Sequence, residues 1–144
     1  MDDYELLEEI GHGGRSRVYR ARQRSTGAHV ALRRTPSRAG GVPAAAAERA
    51  AVCLSEHQRA RALRHSALLP LEACFLDGAY VCAVSPLASG GSLEDAQLAA
   101  GGALGGETLT WAAHGAVQAL CYLHARDPAP IVHRVRCSRA AGSA

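Results

Sequence analysis

Residues 11–34 read GHGGRSRVYRARQRSTGAHVALRR, and the punctuation of this stretch decides the architecture. The glycine cluster at 11–14 separates two short runs that mix apolar and polar residues, YELLEEI at 4–10 and RVYRARQR at 17–24. Thr26-Gly27 marks a second turn, and HVALRR at 29–34 follows it. Short runs of this kind between turn signals read as strands. Three of them in succession predict an antiparallel meander.

Working outward, residues 38–42 read as a loop, and Pro43 suits the first position of a helix because its missing N–H is not needed there. An alanine- and arginine-rich helix over 43–64 is expected, with Val52, Leu54 and Leu63 as its only bulky apolar residues. Beyond His65, the runs LLPLEACFL and AYVCAVS flank Asp77-Gly78, a strong hairpin signal that adds a fourth and a fifth strand. Residues 86–107 are rich in glycine, serine and alanine. They read as a connector with a short helix from Ser92 to Ala99, followed by linker glycines at 101–102 and 105–106. Leu109, Ala113, Ala116, Val117, Leu120 and Leu123 then recur at helical spacing, and Asp127-Pro128 ends this second long helix.

Composition narrows the function classes. The chain has 144 residues, enough for one domain with its own core, but much of its 48% apolar content is alanine and only one Phe and one Trp are present. Large side chains carry about 1.5–3 kcal/mol of burial each, so a thin core of marginal stability is expected. All sixteen basic residues are arginine. The net charge of +3 is too small to indicate nucleic acid, and the early arginines (Arg15, Arg17, Arg20, Arg22, Arg24, Arg33, Arg34 and Arg38) read as a solvated strand face. Five widely spaced cysteines without a C-x-x-C pair indicate neither a disulfide frame nor a zinc site, and no metal site is expected. No apolar run approaches the roughly 18 residues of a membrane span, and a cytoplasmic location is the default expectation.

Gly11, Gly13, Ser16 and Val18 fit the pattern G-x-G-x-x-[GS]-x-V. Glycine at such a turn lets backbone N–H groups approach phosphate oxygens that a Cβ would obstruct. Read alone, the cluster serves an ordinary glycine hairpin equally well. It is not a Walker loop, because no Gly-Lys-Ser/Thr follows, and it precedes a strand and not the helix of a dinucleotide fold.

Order supplies what the glycines lack. The strand after the turn ends VALR, with Arg33 at the place of the lysine in V-A-I-K. Glu56 lies in the next helix, nine residues before His65, followed by the hairpin, a connector containing GGSL, and the run ALCYLHARDPAPIVHR. This succession resembles the protein kinase family, and its helix-to-loop wording resembles the tyrosine-kinase-like group of serine/threonine kinases, including plant receptor-like kinases. The resemblance covers Tyr4 to about Ser138. It implies an α+β fold: a small lobe of five antiparallel strands and one helix over 1–85, a hinge and glycine-rich linker over 86–107, and a partial helical large lobe over 108–144.

The resemblance also implies roles. Gly11, Gly13 and Ser16 would cover the phosphates of ATP, and Val18 and Ala31 would cap its adenine. Ser85 would guard the back of the pocket, with Pro86, Leu87 and Ala88 as the hinge and the Ala88 N–H as the adenine donor. Arg33 would meet the phosphates and pair with Glu56, although register leaves open that both simply solvate their surfaces. An arginine fork is not a conservative stand-in for a lysine here. The family's catalytic loop places an aspartate, a lysine and a metal-binding asparagine where this chain has Val135, Cys137 and Ala140. None of the three side chains can do the corresponding task, so Mg2+ is not expected to be held.

The sequence stops before any D-F-G, so the expectation is a truncated or pseudokinase-like domain of the ATP-dependent phosphotransferase family, catalytically inactive as it stands. Two alternatives stay open. One is a docking module for another kinase or a scaffold protein. The other is an incomplete gene product of an active kinase, with RVRCSRAAGSA read across a wrong boundary.

Overall fold

The computed structural model describes residues 1–37, 51–52, 54–55, 57–127 and 130–131. Glu56, Val135, Cys137 and Ala140 lie outside the described residues, as do Pro43 and the rest of the first eight residues (43–50) of the expected first helix.

Five strands form one sheet: β1 (Tyr4–His12), β2 (Arg17–Gln23), β3 (His29–Pro36), β4 (Ala73–Asp77) and β5 (Tyr80–Pro86). All neighbours run antiparallel in the order β1-β2-β3-β5-β4. The β4–β5 hairpin turns through Gly78, whose φ of 55° is strained for any residue with a Cβ. β4 is shorter than the run LLPLEACFL suggests. Pro70 has no N–H for a ladder, and the pairing is picked up by the Glu72 N–H, which donates to the Val84 carbonyl at 2.8 Å.

The sheet has two different faces. On one, Ala21, Val30, Leu32, Cys82 and Val84 form a buried cluster, covered by Met1, Tyr4, Leu6, Ala73 and Phe75. The Tyr4 and Phe75 rings stack with centroids 5.7 Å apart. This is the thin core the composition predicts. Burial also pushes the Cys82 thiol above its ordinary pKa. Among the described residues Cys74, Cys82 and Cys121 are unbridged.

Three of the early arginines are tied to glutamates of β1: Arg17 to Glu9 at 3.0 Å, Arg20 to Glu8 at 3.0 Å and Arg22 to Glu5 at 2.6 Å. The Arg22 hydrogen bond is the main cause that holds the Glu5 carboxyl below its usual range. These pairs are exposed, where an ion pair contributes about 0–1 kcal/mol, so they set the β1–β2 register more than they stabilise it.

Residues 57–61 are helical, and the helix closes there, earlier than the expected end at residue 64. The Ala62 and Leu63 amides donate three residues back, to Arg59 and Ala60, a tightening common at helix ends. The Arg64 N–H leaves the helix altogether and donates to the Tyr122 hydroxyl at 3.0 Å.

Helix α1 (Leu93–Ala99) opens with a capping box, in which the Asp95 N–H donates to Ser92 Oγ and the Ser92 N–H donates to the Asp95 carboxylate. The Ser92 N–H and the Ser92 hydroxyl, both donating to the carboxylate, hold the Asp95 carboxyl below its usual pKa. Gly101 and Gly102, which read as linker in the sequence, instead close α1. Their amides donate to Leu98 at 3.1 Å and Gln97 at 2.9 Å, with φ of 76° and 103°, in a Schellman arrangement.

Helix α2 (Gly106–His124) packs with an unexpected face. Ala119 and Leu123 are buried and Ala112, Gly115 and Tyr122 half-buried, whereas Leu109, Val117 and Leu120 of the apolar stripe are exposed. Small residues let the chain before β4 come close. A Cβ on Gly115 would meet the Ala67 Cβ at 3.8 Å, and the Tyr122 ring stacks on His65 at 5.0 Å.

Candidate functional site

The second face of the sheet is where the candidate residues converge. Strand pairing sets Val18 opposite Arg33, Ala31 opposite Ser85, and Arg33 opposite Ala83, so all five side chains share one face. They line a cavity of about 520 Å3, closed by His57 and Ala60 of the helical segment and by residues 69–71 leading to β4. That volume lies within the range of roughly 300–1,000 Å3 typical of small-molecule sites. Arg33 is the only formally charged side chain among the described lining residues.

Arg33 Nη2 lies 2.8 Å from His57 Nε2. A guanidinium can only donate, so this contact requires a neutral His57 ring that accepts at Nε2. From the sequence, His57 is assigned no role. Its signal was available: it neighbours Glu56 on the helix expected to reach β3.

The remaining candidates are placed differently. Gly11 sits on β1 opposite Val18, and a Cβ added to it would lie 3.9 Å from the Val18 Cβ, an ordinary contact. Gly13 and Ser16 close the β1–β2 turn through a Gly13 N–H to Ser16 carbonyl bond of 2.8 Å. They line a second, larger cavity of about 650 Å3, together with residues whose side chains lie on the core side of the sheet. Gly11, Gly13 and Gly14 all lack a positive φ, and nothing lies within 4 Å of a Cβ added to Gly14. The fold by itself therefore does not require glycine at positions 11 and 14.

Ala88 is exposed just beyond β5, and its carbonyl accepts from the Gly91 N–H at 3.3 Å. Among the described residues no group of three or more His, Cys, Asp or Glu side chains could hold a metal ion. No described helix is long and apolar enough to cross a membrane.

The family model for the protein kinase domain matches residues 4–134. This chain belongs to the protein kinase domain family. The kinase domain is 34% identical over 129 residues to the Pelle-like serine/threonine-protein kinase pik-1 of Caenorhabditis elegans, an alignment covering 86% of this chain and 26% of that protein. The chain thus spans about a quarter of the length of that relative. It is also similar in fold to the crystal structure of Rad53 1–466 in complex with AMP-PNP, with a TM-score of 0.70 and 24% identity, over 85% of this chain and 30% of that one. The five-stranded antiparallel sheet with its helices is accordingly a kinase small lobe followed by part of a helical region.

Proposed function

We propose that this kinase domain takes ATP into the cleft on the second face of its sheet and does not transfer the γ-phosphoryl group. The observation that carries the reading is the convergence of Val18, Ala31, Arg33 and Ser85 on one cleft of ligand size. Val18 and Ala31 give apolar surfaces for the adenine ring. With the Ala88 carbonyl engaged by Gly91, recognition of the ring edge falls to the Ala88 N–H. Arg33 supplies positive charge for the phosphates, steadied by His57. The turn carrying Gly11, Gly13 and Ser16 acts as a lid that closes toward the cleft, and the absence of any fold requirement for glycine at 11 and 14 supports that role.

Transfer fails on side-chain chemistry. Phosphoryl transfer rests on positioning and electrostatic stabilisation, with metal ions bridging phosphate oxygens and an aspartate accepting the substrate proton. At the corresponding places Val135 cannot accept a proton, Cys137 brings no cation, and Ala140 offers a metal no donor atom. General-base assistance alone is worth about 10²- to 10⁴-fold. Serine/threonine phosphorylation is the activity in the name of the C. elegans relative. Only nucleotide recognition is extended here to this chain.

A second reading, a docking module for another kinase or a scaffold, is favoured by the exposed Leu109, Val117 and Leu120 on α2. Thermal unfolding separates the two. Ligand at about 100 times its Kd stabilises the folded state by about 2.7 kcal/mol, so saturating ATP should raise the melting temperature of the chain by several degrees. No shift at millimolar ATP would reject nucleotide binding and leave the docking role.

A further inference from the structure

The larger cavity, of about 650 Å3, lies across the sheet from the proposed nucleotide cleft, and the function above uses only the glycine turn at its rim, through Gly13 and Ser16. Its wall gathers Arg15, Arg17 and Arg34 with Tyr19 and Tyr80, against the single carboxylate of Glu9. Three guanidinium groups against one carboxylate leave the lining at a net +2, still +1 when Asp77, paired with Arg34 at 3.0 Å, is counted. Because every base in this chain is arginine, the residue type carries no information. Their gathering around one concavity does.

Arg15 forms no ion pair among the described residues. Arg34 is held in place, with its guanidinium 4.1 Å over the Tyr80 ring and Nη2 on Asp77.

We propose that this outer cavity is a recognition site for a phosphorylated serine or threonine side chain on a partner polypeptide. A phosphate monoester brings close to two negative charges and three acceptor oxygens, which suits several guanidinium forks better than one carboxylate does. The cavity is too large for a bare phosphate ion, and Tyr19, Pro36 and Tyr80 give walls against which flanking peptide atoms can lie. Arginine clusters are a recurring solution for phosphopeptides.

The test uses the full chain without nucleotide, so its outcome does not depend on the ATP reading. Binding of a degenerate short-peptide library centred on phosphothreonine is measured by fluorescence anisotropy, beside the same library with threonine and a short single-stranded oligonucleotide. The phosphorylated library should bind at least about tenfold tighter than the unphosphorylated one, a difference of about 1.4 kcal/mol. It should weaken with added salt and lose that advantage in the R15Q/R17Q double variant, whose exposed side chains leave the melting temperature near the parent's. Arg34→Met, which also breaks the Asp77 pair, serves as a second variant judged on binding only where its unfolding stays cooperative. Equal affinity for both libraries, phosphopeptide binding untouched by R15Q/R17Q, or oligonucleotide binding as tight as that of the phosphopeptide would each overturn the proposal.

Discussion

Leu32→Ala should destabilise this kinase domain by about 2–5 kcal/mol, the range seen when a buried leucine is truncated and leaves a cavity. Leu32 is fully buried at the centre of the sheet, paired across to Tyr19 on β2 and Val84 on β5. The other buried members of the cluster, Ala21, Val30, Cys82 and Val84, are short side chains that cannot extend to refill the space. A domain of this size holds about 5–15 kcal/mol in total, and a thin core belongs at the low end, so the variant sits near the unfolding threshold. Leu76→Ala is the control: that side chain is 50% exposed on β4, and its loss should stay within about 0.5 kcal/mol. Denaturant midpoints read both, and equal losses at the two positions would show that the core is not on the face described.

Ala31→Trp should abolish the ATP-induced rise in melting temperature while leaving the fold intact. Ala31 is half-buried on the cleft face of β3, opposite Ser85, so an indole there fills the proposed adenine space without entering the core. Tryptophan is also well tolerated in strands. The variant should therefore melt cooperatively near the parent temperature and ignore ATP. A retained shift would mean that nucleotide sits elsewhere, with the arginine-lined outer cavity as the first place to look.

Much of the fold was legible because its signals are local. The glycine turn, Thr26-Gly27 and Asp77-Gly78 punctuate the strands, and the face of β3 that carries Ala31 and Arg33 follows from two-residue alternation once pairing with β2 and β5 is fixed. What local signals cannot report is what covers a face. The apolar stripe on α2 announces a helix, yet the packed side is made of Ala112, Gly115 and Ala119, small residues chosen by the close approach of Ala67 and invisible to hydrophobic periodicity. The end of the first helix is likewise set from a distance, by a Tyr122 hydroxyl 58 residues along the chain that takes the Arg64 amide.

The site divides in the same way. The resemblance to the kinase family gathers Val18, Ala31, Arg33 and Ser85 as candidates, and strand register explains why they meet. The His57 contact with Arg33 depends on how the helix sits over the sheet, which no local pattern encodes. Gly13 and Ser16 also border the outer cavity, because the turn between β1 and β2 has two sides and the motif does not say which is lined.

Incubating the purified chain with magnesium, ATP carrying a labelled γ-phosphate and a generic protein acceptor tests the proposed loss of phosphotransfer most directly. Incorporated label should not exceed that of a protein-free blank, even at ATP concentrations that raise the melting temperature. Magnesium-dependent incorporation that disappears in Ala31→Trp would contradict the account, because it would show Val135, Cys137 and Ala140 standing in a loop that still transfers phosphate.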